Sequence, residues 1–258
     1  MIRIEHLNKT FNPGTINEKP ALQDVTLELN RGDFVTVIGS NGAGKSTLMN
    51  CISGVIPVDS GTITLDGKDI TNLPEYKRSR YIGRVFQDPL KGTAFDMTIE
   101  QNLAIAYAKD KSHGFQPGIS RKERELFREK LALLGMGLED RMTQQVSLLS
   151  GGQRQALTLF MAILVKPALL LLDEHTAALD PATARKVLEL TDLFAKTDDM
   201  CTLMITHNMS DALAHGNRTI LRNDGRIAMD ICGEERDAMT VERLIEAFEI
   251  KNDRMLLK

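Results

Sequence analysis

Hydrophobic and polar positions alternate along two segments near the start of the chain, and later segments are apolar almost throughout. Residues 2–7 and 21–29 alternate in the way that is typical of strands with one buried and one exposed face. Residues 34–38, 168–172 and 201–205 are instead apolar or β-branched at nearly every position. A strand that is covered on both faces has this composition, because helices pack against both sides of a parallel sheet. The pattern predicts half-buried strands first and buried parallel strands later.

Helix formers with apolar residues at helical spacing occupy the segments between these strands. Residues 99–108 and 121–134 have this spacing and predict a helical insertion. Residues 156–164 are unusually apolar, which predicts a buried helix, and residues 181–194 predict a helix between two buried strands. A short terminal helix is predicted at 241–248. Strands that alternate with helices indicate an α/β fold with a mostly parallel sheet.

Charge, cysteine content and hydropathy narrow the functional classes. The formal net charge is −3, which argues against a generally basic nucleic-acid binder. Cys51, Cys201 and Cys232 lie far apart with no CxxC pair, so free thiols in a reducing compartment are expected. The N-terminus lacks the apolar region of a signal peptide, and no run reaches the roughly 20 apolar residues that span a bilayer. Any membrane role is therefore expected to depend on a partner.

A glycine-rich loop joins the strand at 34–38 to a predicted helix at 46–52 and fits the phosphate-binding pattern GxxxxGK[ST]. Glycines let the loop turn tightly with its N–H groups inward, and a helix N-terminus adds partial positive charge. We expect Lys45 to reach the β- and γ-phosphates of a nucleotide and the Ser46 hydroxyl to ligate Mg²⁺. The alternative is a glycine-rich turn without a ligand. The predicted nucleotide-binding residues are Gly39, Ser40, Asn41, Gly42, Ala43, Gly44, Lys45, Ser46 and Thr47.

Two acidic residues follow the leucine run at 169–172. Ligands of open α/β sheets gather at the carboxyl ends of the strands. We therefore expect Asp173 to face Mg²⁺ through water and Glu174 to act as the general base on the attacking water. The alternative is an ordinary strand that meets an acidic turn, and the loop at 39–47 makes that alternative weaker.

Residues 149–153 have the sequence Leu-Ser-Gly-Gly-Gln, and through it the chain resembles the ABC ATPases. The resemblance extends to Gln87, to Ala-Leu-Asp at 178–180 and to His207. It implies a P-loop NTPase core with a mostly parallel sheet, and the P-loop of this chain is the glycine-rich loop at 39–47. It also implies an N-terminal antiparallel β subdomain and an α-helical subdomain that carries residues 149–153, the signature of the family. The implied single ABC ATPase domain, residues 1–258, divides into a core at 1–92 and 156–235, a helical subdomain at 93–155, and a C-terminal helix and tail at 236–258.

The signature is expected to act on a second copy of the chain. Ser150 and the backbones of Gly151 and Gly152 would form an anion-binding helix start, with Gln153 completing the motif. Because the helical insertion holds this element away from the chain's own P-loop, it would meet the nucleotide of a partner in a head-to-tail dimer around ATP. The alternative is a glycine-rich helix cap before Gln153.

The resemblance also implies roles for single residues. Gln87 would contact Mg²⁺ and sense a membrane subunit, or it is simply a polar residue at a strand end. His207 would contact the γ-phosphate and hold Glu174 and the water in line, with a structural histidine as the alternative. Asp180 would lie at the dimer seam, cap the following helix, or do both. Phe11 would stack on adenine, or it is a core or loop aromatic.

This sequence departs from the common pattern at three positions. His175 replaces a proline found in many relatives, so it either titrates near neutral pH or is an unremarkable loop histidine. Ala156 and Met161 stand where many relatives have arginines. Both positions lie on the helix predicted at 156–164. A stripe on that helix is predicted to belong to the hydrophobic core and consists of Leu157, Phe160, Met161 and Leu164.

The resemblance implies the ATP-hydrolysing subunit of an ABC transporter, peripheral to the cytoplasmic face of the membrane. ATP and Mg²⁺ are the implied cofactors. The implied partners are a second ATPase subunit, transmembrane permease subunits and an extracellular or periplasmic substrate-binding protein, with no nucleic acid. A bacterial importer is favoured, with amino acids as a candidate cargo. The alternatives are the ATPase of an exporter and a soluble ABC ATPase without a transport role.

Overall fold

The computed structural model describes residues 1–108, 118–197 and 200–256, with the backbone alone for 197 and 249–256. The strands in these ranges are β1 (Ile2–Phe11), β2 (Lys19–Leu29), β3 (Phe34–Gly39), β4 (Ser60–Leu65), β5 (Lys68–Asp69), β6 (Ile82–Val85), β7 (Leu169–Asp173), β8 (Cys201–Ile205), β9 (Arg218–Asn223) and β10 (Arg226–Cys232). The helices are α1 (Lys45–Ser53), α2 (Glu75–Arg78), α3 (Ile99–Tyr107), α4 (Arg121–Ala132), α5 (Gly151–Ile163), α6 (Pro181–Thr197), α7 (Met209–Ala214), α8 (Gly233–Asp237) and α9 (Val241–Leu256).

The N-terminal strands form an antiparallel sheet in the order β2-β1-β4-β5. Along β1, Ile2 and Ile4 are buried while Arg3 and Glu5 are exposed, so the alternation in the sequence corresponds to the two faces of the sheet. The far ends of β1 and β2 remain paired up to the point where Phe11 lies opposite Lys19. The predicted antiparallel N-terminal unit is confirmed.

A mostly parallel sheet has the order β10-β9-β3-β8-β7-β6. Strands β9, β3, β8, β7 and β6 are parallel to their neighbours, and β10 returns antiparallel to β9. In this register Ile205 of β8 pairs with Val37 of β3 on one side and with Asp173 of β7 on the other. The carboxyl ends of three strands are therefore level, and the loops that follow them meet at one edge. The predicted α/β fold with a mostly parallel sheet is confirmed.

The leucines of β7 pack on both faces of the parallel sheet. Leu169 and Leu171 belong to a hydrophobic cluster shared with the antiparallel sheet and α1. Leu170 and Leu172 belong to a second cluster formed by α3, α4, α5 and α6, in which Phe127 is fully buried. The unbroken apolar run therefore has the origin expected for a parallel strand that is covered on both faces.

Helix α5 is longer than the sequence predicts. The predicted boundary between helical subdomain and core, at 155/156, falls inside α5, which is continuous from Gly151 to Ile163. Ser150 caps the helix and Gln155 is already buried, so the helix begins at the signature. The proposed subdivision, with this boundary, stays a prediction. The stripe is confirmed as core, with Leu157 and Phe160 buried and Met161 and Leu164 packed against the same cluster.

The remaining sequence predictions on the fold concern the C-terminal helix, the cysteines and membrane spans. Helix α9 runs from Val241 to Leu256, beyond the predicted end at 248, because its helical sequence pattern continues. Cys51 and Cys201 are buried, Cys232 is exposed, and all three are free, as predicted. In the described ranges, no helix combines the length and the apolar character needed to cross a membrane. Parts of the predicted domain at 109–117, 198–199 and 257–258 lie outside the described residues.

Candidate functional site

The glycine-rich loop after β3 is shaped by contacts that leave no room for side chains. Gly39 and Gly44 have φ angles of 154° and 82°. A Cβ on Gly44 would lie 2.0 Å from the carbonyl oxygen of Ala21, and one on Gly39 would lie 2.3 Å from that of Arg222. The loop is therefore held close to β2 and β9 and enters α1 with its N–H groups at the helix N-terminus, which favours an anion.

Lys45 is turned back onto its own loop. Its Nζ donates to the carbonyl oxygens of Gly39 at 2.8 Å and Ser40 at 3.0 Å. Burial lowers the pKa of Lys45, and the nearby carboxylates of Glu174 and Asp173 oppose that shift. The ammonium group thus lies between the loop and two acids.

Asp173 ends β7 beside α1. Burial is the main cause that raises the pKa of its carboxyl, and Arg84 is the main opposing charge. The Ser46 side chain forms a hydrogen bond with Asp173, so the two predicted Mg²⁺ ligands are in contact. Gln87, the third predicted ligand, is exposed and lines a cleft of about 780 Å³ together with Asp173 and Arg84.

Arg84 is a site residue that the sequence analysis missed. Its Nη2 lies 3.8 Å from Asp173 Oδ2 and donates to Asn50 Oδ1 at 2.7 Å, and its Nη1 donates to Ser53 Oγ at 3.1 Å. Its guanidinium also lies 4.6 Å from the ring centroid of Phe86. The signal in the sequence was an arginine at a half-buried position of the short strand β6.

Glu174 and His207 form a close pair. Nε2 of His207 lies 2.5 Å from Oε1 of Glu174. The two residues follow β7 and β8, and the Glu174 N–H donates to the carbonyl oxygen of Ile205 at 3.1 Å. Glu174 has a φ of 47°, a left-handed conformation that is rare for a residue with a side chain. Strained backbone of this kind is concentrated at functional sites.

One open cleft of about 270 Å³ brings several predicted site residues together. It runs from Phe11 on the antiparallel sheet across the P-loop to Glu174 and His207 on the parallel sheet. The cleft is lined by Phe11, Lys19, Ala21, Asn41, Gly42, Gly44, Lys45, Ser46, Thr47, Glu174 and His207. Lys19 is a second residue that the sequence analysis missed.

The signature lies apart from this cleft at the start of α5. Ser150 Oγ accepts from the N–H of Gln153 at 3.2 Å, and Gln153 Oε1 accepts from the N–H of Ser150 at 3.2 Å. This capping box closes the helix start, so the alternative of a helix cap is confirmed, and nucleotide contact by the motif stays a prediction. In the described structure the residues that line the P-loop cleft include none from 149–153.

Asp180 caps the N-terminus of α6. Its Oδ1 accepts from the N–H of Thr183 at 3.1 Å, and hydrogen bonds from Thr183 lower the pKa of Asp180. The capping role is confirmed. A place at a dimer seam stays a prediction for this exposed side chain.

Of the two alternatives for His175, titration near neutral pH is wrong. Its side chain is buried, which lowers its pKa to about 4. Nε2 lies 3.2 Å from Thr191 Oγ1. Because the Thr191 hydroxyl donates to the carbonyl oxygen of Val187, the histidine Nε2–H must be the donor in this pair. His175 therefore fixes the residue after Glu174 to helix α6.

Arg222 is buried under the P-loop and was also missed. Its Nε donates to the Ala43 carbonyl oxygen at 3.2 Å, while Nη1 and Nη2 have no partner among the described residues. Burial lowers the pKa of its guanidinium to about 10. The signal in the sequence was a charged residue directly after the apolar pair Ile220-Leu221 of β9.

The chain is similar in sequence to ATP-binding proteins of transporters. Residues 22–177 match the family described as ABC transporter. A tyrosine transport ATP-binding protein of Clostridioides difficile is 44% identical over 250 residues, which cover 96% of this chain and 99% of that protein. A methionine import ATP-binding protein of Rhizobium etli is 38% identical over 212 residues, or 81% of this chain and 56% of that protein.

Solved structures give the same result. An ATP-binding cassette of an ABC transporter in its ADP conformation superposes with a TM-score of 0.78 and 27% identity, covering 96% of this chain and 98% of that one. A dimeric cassette in a post-hydrolysis state with ADP and Pi has a TM-score of 0.76 and 27% identity, covering 90% and 98%.

Proposed function

The chain belongs to the ABC transporter family and is the ATP-binding, ATP-hydrolysing subunit of such a transporter, and we propose that its P-loop cleft binds Mg-ATP. We further propose that a second copy of the chain closes the site. The observation that carries this proposal is the convergence of Lys45, Glu174 and His207 on one cleft. These three residues lie in segments that follow different strands, and they meet because β3, β7 and β8 end at the same edge of the sheet. Phe11 at the other end of the cleft would stack on adenine.

The residues near Asp173 suit a magnesium ion. Ser46 offers a hydroxyl oxygen, Asp173 a carboxylate and Gln87 an amide oxygen, and Mg²⁺ prefers oxygen ligands of these kinds. Bound there, the ion would neutralise charge on the β- and γ-phosphates. Lys45 would exchange its two loop carbonyls for phosphate oxygens when ATP enters.

Glu174 is the proposed general base. Its carboxylate would accept a proton from the attacking water, while His207, 2.5 Å away, would orient that carboxylate and contact the γ-phosphate. The anchored backbone at His175 limits how far this carboxylate can drift.

The test compares Glu174→Gln with Lys45→Ala. Glu174→Gln keeps the shape of the side chain and removes the proton acceptor, so turnover should fall about 10²–10⁴-fold with ATP affinity retained. Lys45→Ala should lose ATP affinity as well. Glu5→Gln, an exposed acid on β1, is the matched control and should behave as wild type. Wild-type turnover by Glu174→Gln would show that another group activates the water.

We further propose that the signature completes the site of the partner copy. Gly151→Asp is the informative change, because a Cβ there meets only Leu179 Cδ2 at 3.9 Å and the fold should stay intact. The added carboxylate would repel the partner's γ-phosphate. In the Glu174→Gln background, Mg-ATP should therefore give dimers by light scattering, and Gly151→Asp should abolish them while monomers still bind nucleotide.

A mixing experiment tests whether the two chains share their sites. A Lys45→Ala chain and a Gly151→Asp chain are each inactive alone, but their mixed dimer has one site with an intact P-loop and an intact signature. Partial recovery of ATPase activity is expected. A Gly151→Asp protein that still dimerises on ATP and hydrolyses at the wild-type rate would refute the shared site.

For the transported substrate we propose amino-acid import. The name of the 44% identical relative, a tyrosine transport ATP-binding protein, and that of the methionine import relative support this class. The chain would work at the cytoplasmic face with transmembrane permease subunits and a substrate-binding protein. Reconstitution with the permease from neighbouring genes should give ATPase activity that rises with the amino-acid-loaded binding protein. Efflux without a binding protein would indicate an exporter, and co-purification with ribosomes would indicate a soluble ABC ATPase.

A further inference from the structure

Lys19 stands opposite Phe11 at the end of the β1–β2 pair. Residues directly opposite each other in an antiparallel pair project on the same face of the sheet. Both side chains accordingly line the P-loop cleft. The strand pairing that brings Phe11 to the nucleotide thus brings a cation with it.

The Lys19 ammonium reaches the P-loop itself. Nζ lies 3.0 Å from the position that a Cβ on Gly42 would take, so the absence of a side chain at Gly42 leaves the space that the lysine enters. Gly42 has a φ of 85°, which also favours glycine there. Lys19 is therefore directly above the loop whose N–H groups are expected to cradle phosphates.

Lys19 has no acidic partner within the described residues. Its neighbour Glu18 accepts a hydrogen bond from the N–H of Gly14 at 2.6 Å instead. Lys45, in contrast, is shared between loop carbonyls and two nearby carboxylates. Lys19, the more exposed of the two lysines, therefore has no opposite charge beside it among the described residues. A polyphosphate is a ligand that would supply that charge.

We propose that Lys19 is a second phosphate-binding lysine, which contacts the polyphosphate of the nucleotide from the side of the antiparallel sheet. This inference rests on the proposed ATP site. Lys19 binds ground state and transition state alike, since it approaches the phosphates from the antiparallel sheet, whereas Glu174 and His207 follow strands of the parallel sheet. Its loss should therefore raise KM and leave kcat nearly unchanged.

The experiment measures the affinity of Lys19→Gln for ATP, ADP and adenosine by calorimetry. Lys19→Gln keeps most of the length and removes the charge, so the Kd for ATP and ADP should rise about 3- to 20-fold, with adenosine unchanged. The difference in ATP affinity between Lys19→Gln and wild type should be smaller at high salt, because exposed charges are screened. Lys19→Arg should stay within about twofold of wild type. Lys68→Gln, a lysine of the same sheet that lies 5.7 Å from the ring centroid of Tyr81, is the control.

Parallel measurements on Lys45→Ala separate failure of this inference from failure of the site. If Lys19→Gln binds ATP like wild type while Lys45→Ala does not, the second lysine is refuted and the P-loop site stands. If Lys19→Gln weakens adenosine as much as ATP, Lys19 acts through Phe11, and the phosphate contact is refuted. If neither variant changes ATP affinity, the proposed nucleotide site fails, and the inference fails with it.

Discussion

Replacing Arg222 with methionine should make the protein more stable. Arg222 is 0% exposed, and two of its three guanidinium nitrogens have no partner among the described residues. Methionine is similar in length, is apolar and adapts to irregular spaces. The substitution therefore removes a buried charge without opening a large cavity.

The magnitude follows from two opposing effects. Lowering the pKa of Arg222 from 12.5 to about 10 corresponds to about 3 kcal/mol of unfavourable free energy in the folded state. Removing Nε–H leaves the Ala43 carbonyl without its donor at 3.2 Å, which costs about 1–2 kcal/mol. Relief of the buried charge is the larger effect. Arg222→Met should raise the free energy of unfolding by about 1–2 kcal/mol.

Urea denaturation of the nucleotide-free protein measures this difference, provided that the slope m is unchanged. The folded-state pKa is lowered, so the penalty is present at every pH below about 10 and disappears only as the pH rises above that value. The increase in the free energy of unfolding should consequently be the same at pH 6 and pH 8.5. Arg222→Lys keeps a buried cation and should be no more stable than wild type. A methionine variant that is less stable than wild type by more than about 1 kcal/mol would refute the reasoning.

Two further predictions concern the polar contacts near α6. Thr191→Val leaves the N–H of His175 without an acceptor and should lower the free energy of unfolding by about 1–3 kcal/mol. Thr191→Ser keeps the hydroxyl, so equal stability of the two variants in urea would contradict the assigned hydrogen bond. Asp192 lies 2.8 Å from His215 Nδ1 and raises the pKa of that histidine, so this stabilisation is present below the unfolded pKa and is lost as the pH rises through the folded value. Asp192→Asn should therefore lower the free energy of unfolding more at pH 5.5 than at pH 8.5, and a difference that is independent of pH would show that the pair does not titrate.

The strands, and whether one or both faces of each strand are buried, could be predicted because the residue types in a segment depend on what surrounds that segment. The run at 169–172 is apolar at each position since its leucines face two different clusters, and the sequence alone indicated this. The P-loop was equally clear, because its glycines are required by backbone contacts that the pattern encodes. The start of α5 was placed five residues too late, at 156, because only the residues from 156 onward are strongly apolar, whereas the capping box of Ser150 and Gln153 begins the helix at Gly151.

The residues that the sequence did not reveal owe their roles to partners far away in the chain. Lys19 meets Gly42 through the pairing of β2 with β1, and Arg222 reaches Ala43 across about 180 residues. The partner of His175 was not apparent because Thr191 lies sixteen residues later, on α6. Periodicity predicts which face of an element is buried, but it does not tell which residue of another element lies opposite.

Helix α5 has a consequence for exchanging segments between related proteins. Its 13 residues form a rod about 20 Å long, with the signature at one end and core contacts to β6 along its length. A chimera joined at 155/156 would place the junction within the second turn of this rod, so any mismatch in helical phase between the parents would rotate Ser150 away from its orientation relative to β7. A junction in the turn after α5, at 164–168, transfers the signature and its whole helix together. Chimeras joined in that turn should therefore be functional, and chimeras joined at 155/156 should not, whichever relative supplies the exchanged segment.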